Sequence, residues 1–243
     1  MTRGMLYADD TALVSQHVGN LQHILDAIIS EGQKYGLELN WDKTVQIQIS
    51  TNDQVTRPGG EPIKVATEAV FLGGLITQDG RVGNELTRRL GESRSTFQQV
   101  CKIWGHSSIG KQRKLLIYTS CVLSKLLYSL DSLWLLKADK CRLDAFHCKC
   151  LRKIVGIAPS YFSRVSNADV LETAGSKPLS AILSDHQVQL YRAIASKSDA
   201  SLVKQLVCDA SGRPRNWASR RRGRGRPRQQ WAQCVYTLAR VQT

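Results

Sequence analysis

Residues 5–14 read MLYADDTALV. Two apolar, strand-forming pieces flank an aspartate pair, so the pattern predicts a β-hairpin with Asp9 and Asp10 at its tip. Adjacent carboxylates repel, and holding both ionised on a rigid turn is unfavourable unless a cation neutralises them. A magnesium ion, which takes oxygen ligands and keeps several waters, suits such a pair. Short motifs of this kind also occur as plain surface turns, so the surrounding chain has to decide the reading.

Working outward, the strands RGMLY and TALVSQ are expected within residues 3–16, joined through Ala8, Asp9 and Asp10. A helix follows from about Leu21 to Tyr35, because Leu21, Ile24, Leu25, Ile28 and Ile29 recur at helical spacing. Asn20 is placed to cap its start and Gly36 to end it. LELNWDKTVQIQIS returns to strand character, with Val45, Ile47 and Ile49 alternating against polar neighbours. After a turn-rich loop at 51–62, IKVATEAVFLGGLIT reads as further strands, with a turn at Asp79–Gly80. From about Val82 the pattern becomes helical, over 83–103, 110–136 and 138–155, then 178–209 beyond a loop containing Pro159, and finally 228–240. The predicted fold class is α+β in three zones: a βαβ-type piece (1–80), a helical piece (81–157) and a basic C-terminal extension (158–243).

Composition narrows the function. The 243 residues carry a formal net charge of +14 at pH 7, with a sequence pI near 9.7. A hydrophobic content of 42% argues against wholesale disorder. A globular chain this basic points to a polyanionic partner, nucleic acid first. Eight arginines fall between Arg213 and Arg228 with no acidic residue among them. If all eight met phosphates, affinity would fall with salt at a log–log slope of about −7. Arg224-Gly225-Arg226-Pro227 also matches the core of a minor-groove AT-hook. The seven cysteines are an odd count, and no secretory leader opens the chain, so a reduced intracellular protein is expected, nuclear or cytoplasmic. No apolar run reaches membrane-spanning length. His147-Cys148-Lys149-Cys150 lacks a second ligand pair, and its two thiols point about 200° apart on a helix, so no zinc is expected.

Several blocks then follow the hairpin in a fixed order, and together the chain resembles the reverse transcriptase of non-LTR (LINE-type) retrotransposons. YADDTALV resembles the catalytic YxDD hairpin of the polymerase palm, and GLELNWDKT the next palm motif. FLGGLITQDG is similar to the primer-grip hairpin. KLLIYTSCVLSKLLYSLDSLW and LDAFHCKCLRKIVGI are similar to thumb helices, and GRPRQQW to a feature of the C-terminal tails. The resemblance makes 1–80 a partial palm and 81–157 a thumb.

The resemblance implies a role for each matching position. Asp9 would ligate the catalytic metal, Mg²⁺ or Mn²⁺, with Asp10 beside it. Tyr7 and Ala8 would line the floor near the primer end and incoming nucleotide. Lys43 would lie near the triphosphate and assist the leaving pyrophosphate, and Phe71, Leu72 and Gly73 would grip the primer. Arg220, Arg221, Arg222, Arg224, Arg226 and Arg228 would meet nucleic-acid backbone. Partners would be an RNA template, a DNA primer and an upstream half of the polymerase. Two-metal phosphoryl transfer needs a further aspartate, which this family draws from an earlier palm strand. Only six residues precede Tyr7, so the expectation is a C-terminal fragment without polymerase activity of its own. Two alternatives remain open: a nucleic-acid-binding module working through the helices and arginines, and a non-functional retroelement relic.

Overall fold

The computed structural model describes residues 3–105, 108–215 and 229–241. The fold is α+β, mostly helical with two small antiparallel sheets, and divides into two compact units, Met1–Arg81 and Val82–Thr243. Among the described residues, no helix is long and apolar enough to cross a membrane.

Among its described residues, the first unit holds two hairpins, one helix and much irregular chain. Strands β1 (Arg3–Tyr7) and β2 (Asp10–Val14) pair in register from Arg3↔Val14 to Tyr7↔Asp10. Helix α1 (Val18–Gln33) starts earlier than its sequence signal, at an N-cap His17 that makes no side-chain cap bond, so Asn20 lies inside it. It ends as expected near Gly36: the Leu37 N–H closes on the Gly32 carbonyl at 3.0 Å, across Gly36 at φ +69°. That is the closure a left-handed glycine permits. Strands β3 (Glu68–Phe71) and β4 (Gly74–Thr77) form the second hairpin.

Residues 45–49 depart from expectation. They make no strand; Gln46 alone forms an isolated bridge, to Val65. Glutamine side chains do the pairing instead. The Gln46 side chain donates to the Asp53 carbonyl (2.8 Å) and accepts from the Val55 N–H (3.0 Å). Gln22 on α1 does the same with Thr56, donating to its carbonyl (3.0 Å) and accepting from its N–H (2.8 Å). A primary amide offers the same donor and acceptor as a peptide group, so it satisfies the loop without a ladder. The small core of this unit centres on Leu25, Val55 and Ile63, against Val18, Leu21, Ile29, Leu39 and Trp41. Among the described residues, neither hairpin contributes to it.

The second unit is helical. Its elements are α2 (Gly83–Gly105), α3 (Lys111–Ile117), a π-helical stretch (Tyr118–Leu123), α4 (Ser124–Leu127), a 3₁₀ turn (Leu130–Ser132) and α5 (Lys137–Val155). Then come α6 (Ser160–Ser163), α7 (Asn167–Ala174), α8 (Leu179–Ala195), α9 (Leu202–Val207) and α10 (Trp231–Val241). The helix expected over 110–136 is therefore interrupted. Its π-helical stretch carries Tyr118, Val122 and Leu123 into the core, and Ser129 turns the chain at φ +66°. Two short helices, α6 and α7, occupy what reads as loop after Gly156. A capping box starts α7: Ser166 Oγ accepts from the Asp169 N–H (3.2 Å), and the Asp169 carboxylate accepts from the Ser166 N–H (3.1 Å).

Described residues beyond 158 pack into this unit. The main core joins Leu86, Leu90, Leu126, Leu143 and Leu151 to Val170, Leu179 and Leu183. A second cluster seats α10 against α8 through Val188, Tyr191, Ile194 and Val235. Indole hydrogen bonds fix the last helix: Trp231 donates to the Asp131 carbonyl (2.8 Å), and Trp134 to the Gln229 side chain (2.9 Å).

Candidate metal-binding hairpin and cationic groove

The aspartate pair sits where the first hairpin turns. Tyr7 pairs with Asp10, leaving Ala8 and Asp9 as a two-residue loop, with Ala8 at φ +50°. That backbone region is uncommon for alanine and is found where a tight turn is over-determined by its surroundings. Asp9 therefore stands on the turn and Asp10 on the first rung of β2, both exposed. Among the described residues no cation forms an ion pair with either, and no group of three or more His, Cys, Asp or Glu side chains gathers as a metal site would need. Two carboxylates fit an oxygen-seeking divalent ion in kind but not in number. A two-metal clamp would need further ligands beside this pair.

The other sequence-predicted residues occupy their own turns. Lys43 is exposed in a turn organised by Asn40, whose side-chain oxygen accepts from the N–H groups of Asp42 and Lys43, both at 3.1 Å. Thr44 Oγ1 donates to the Asn40 carbonyl at 2.8 Å. Phe71 ends β3 opposite Gly74, and Leu72 (φ +47°) with Gly73 (φ +75°) forms the loop between them. Positive φ at both loop residues is the pattern that matches strand twist in a two-residue hairpin. The arginines Arg220, Arg221, Arg222, Arg224, Arg226 and Arg228 lie outside the described residues.

Both hairpins expose apolar side chains. Met5, Leu6 and Tyr7 on β1 are 51%, 77% and 66% accessible, and Val14, Val70 and Ile76 are exposed as well. Alternate residues of a strand face opposite ways, so β1 is uncovered on both faces.

The second unit holds a feature that the sequence reading missed. Between α2 and α5 lies a groove of about 270 Å³, lined by Leu90, Arg94, Arg142, Ala145, Phe146 and Lys149. Its floor is apolar, its charged side chains are all cationic, and among the described residues no carboxylate lines it. Arg142 is held by Asp139 (3.2 Å) and Thr87 Oγ1 (2.9 Å), which fixes its direction. Arg142, Lys149 and Lys153 recur at intervals of seven and four on α5, one stripe about 16 Å long. That spacing was the available signal, obscured by the denser arginine run downstream. At the same end, burial raises the Cys101 thiol pKa, against opposing pulls from Lys153 and Lys114.

Beneath α5 a buried polar chain crosses the core. His147, 1% exposed, stacks on Tyr118 with ring centroids 5.7 Å apart. Its Nδ1 lies 2.9 Å from the Tyr118 hydroxyl and its Nε2 3.1 Å from Ser176 Oγ, which donates to the Lys177 carbonyl at 3.3 Å. Assigned from that bonding pattern, Nε2 carries the proton and Nδ1 accepts from tyrosine. Burial pushes His147 down to about 4, so the ring is neutral at pH 7. Burial also pushes the Cys150 thiol up to about 12 and raises Cys148, so both stay protonated packing groups. Comparison with known protein families, curated proteins and solved structures finds no match for this chain.

Proposed function

We propose that the chain is a C-terminal part of a reverse transcriptase of the non-LTR retrotransposon kind, holding nucleic acid through its helical unit and supplying one carboxylate half of a nucleotidyl-transfer site. The observation that carries this reading is the Asp9–Asp10 pair, displayed on a two-residue turn with no ion-pair partner among the described residues. Adjacent carboxylates so placed are suited to Mg²⁺ or Mn²⁺. The order of the sequence blocks adds the palm, primer-grip and thumb assignments. The uncovered faces of β1 suit a strand partner from the rest of a palm sheet. The cationic groove on α2 and α5 suits a phosphate backbone.

A primer-extension assay on an RNA–DNA hybrid, with Mg²⁺ or Mn²⁺, tests the reading together with binding. The chain is expected to bind the hybrid and to incorporate no nucleotide. Incorporation abolished by Asp9→Ala would show a self-sufficient site and overturn the half-site assignment. Failure to bind the hybrid at low salt would overturn the reading as a whole.

The groove makes a separate prediction. Replacing Arg94 and Lys149 together by glutamate is expected to weaken hybrid binding at least tenfold at low salt. The log–log salt slope should shrink by about 0.9 for each phosphate that the variant no longer neutralises. An unchanged slope, read by fluorescence anisotropy across a salt series, would remove the groove from the binding surface.

A further inference from the structure

Tyr161 and Phe162, neighbours on α6, are 76% and 74% exposed, with ring centroids 4.3 Å apart and planes tilted by 43°. Two adjacent aromatic rings left in water are unusual, since each could bury 150–250 Å² or so in a core. The loop that presents them is not loosely held. Arg152, a buried residue of α5, donates to the carbonyls of Ala158 (3.2 Å) and Val165 (2.7 Å) and to Asn167 Oδ1 (3.0 Å). Ser163 Oγ donates to the Ala158 carbonyl at 3.0 Å. A guanidinium so fully engaged from inside the fold fixes the chain on both sides of the ring pair. The display is therefore built, and its surroundings say what it meets. From Lys149 to Asp169 the exposed cations are Lys149, Lys153 and Arg164; Arg152 is turned inward, and the single carboxylate, Asp169, is engaged in capping α7. Flat apolar faces with three exposed cations close by in the sequence complement a ligand that is both anionic and aromatic.

We propose that Tyr161 and Phe162 form a stacking platform for unpaired bases of a bound nucleic acid, reached past the cationic stripe of α5. This rests on the nucleic-acid reading above and adds to it a preference for single-stranded ends. Stacking on an aromatic ring is tolerant of base identity, so the platform selects unpaired bases rather than a sequence.

The test uses the full chain and a duplex, either blunt or carrying a short single-stranded overhang with 2-aminopurine. Wild type is expected to bind the overhang substrate more tightly and to quench its fluorescence. Tyr161→Ala with Phe162→Ala should weaken overhang binding about tenfold and abolish the quenching, with blunt-duplex affinity changed less than about twofold. Tyr161→Trp with Phe162→Trp should keep both signals, which separates stacking from any general effect of the substitutions. Equal losses on both substrates, or no loss on either, would overturn the platform while blunt-duplex binding upholds the wider reading. No binding of either substrate by wild type would overturn both. Self-association in the absence of nucleic acid that the alanine variant abolishes would mark the rings as a protein contact instead.

Discussion

Replacing Glu85 by alanine is expected to cost the helical unit about 3–5 kcal/mol. The Glu85 carboxylate is 2% exposed and accepts three arginine hydrogen bonds. Arg88 reaches it with Nε and Nη2, both at 2.8 Å, and Arg89 Nε reaches it at 2.7 Å. Arg89 is itself buried, lies over the Tyr128 ring at 4.9 Å from its centroid, and reaches the Lys125 carbonyl at 3.5 Å. Removing the carboxylate deprives the buried Arg89 guanidinium of the Glu85 counter-charge, and breaking this buried pair from one side dominates the loss. Replacing Glu85 by leucine and Arg89 by methionine together removes both charges and should recover most of the stability. Denaturant unfolding followed by helical circular dichroism reads the difference. A loss below about 1 kcal/mol for Glu85→Ala would mean that the pair is solvated and the burial argument fails.

Acid should weaken the same unit in two separable steps. Burial holds His147 near 4, against a raising pull from the Asp144 carboxylate and the Lys177 carbonyl, while an unfolded histidine titrates near 6.5. Between those values the unfolded chain binds a proton that the folded chain refuses. Stability is therefore full above about pH 6.5 and declines as pH falls toward 4, by about 3 kcal/mol in all. Glu85 acts in a lower window. Burial works to raise its pKa, but the Arg88 and Arg89 hydrogen bonds outweigh that and hold it below its ordinary value. Its contribution is present above the ordinary carboxylate pKa and lost as pH falls through the lower folded one. His147→Leu should lower stability near pH 7, because the Tyr118 hydroxyl loses its partner, and should flatten the slope between about 6.5 and 4, so the two curves converge in acid. Stability curves for wild type and His147→Leu that run parallel through that window would refute the assignment.

The elements that the sequence announced are those whose signal is local. The apolar spacing of Leu21, Ile24, Leu25, Ile28 and Ile29 is enough for α1, and α2 and α5 lie within two residues of their expected bounds. Val45, Ile47 and Ile49 alternate as a strand should, yet pairing is a property of two segments, and here Gln46 and Gln22 satisfy the neighbouring backbone through their side chains. The interruption at Tyr118–Leu123 was hidden for a similar reason. A stretch apolar on nearly every side carries no period to reveal an extra residue in the turn. For the site, Asp9 and Asp10 were legible because turn chemistry and charge repulsion are nearest-neighbour matters. The groove of Arg94, Arg142 and Lys149 depends on how α2 and α5 cross, and the platform at Tyr161 and Phe162 depends on Arg152 reaching from another element.

The last helix is anchored by residues far from it in the sequence. The Arg215 N–H is bonded to the Val207 carbonyl at 3.0 Å, and Gln229 is bonded to Trp134, so both described segments are tied to one folded body. Val235 and Trp231 hold α10 against segments distant in the sequence, so losing that helix would uncover Val188, Tyr191 and Ile194 on α8.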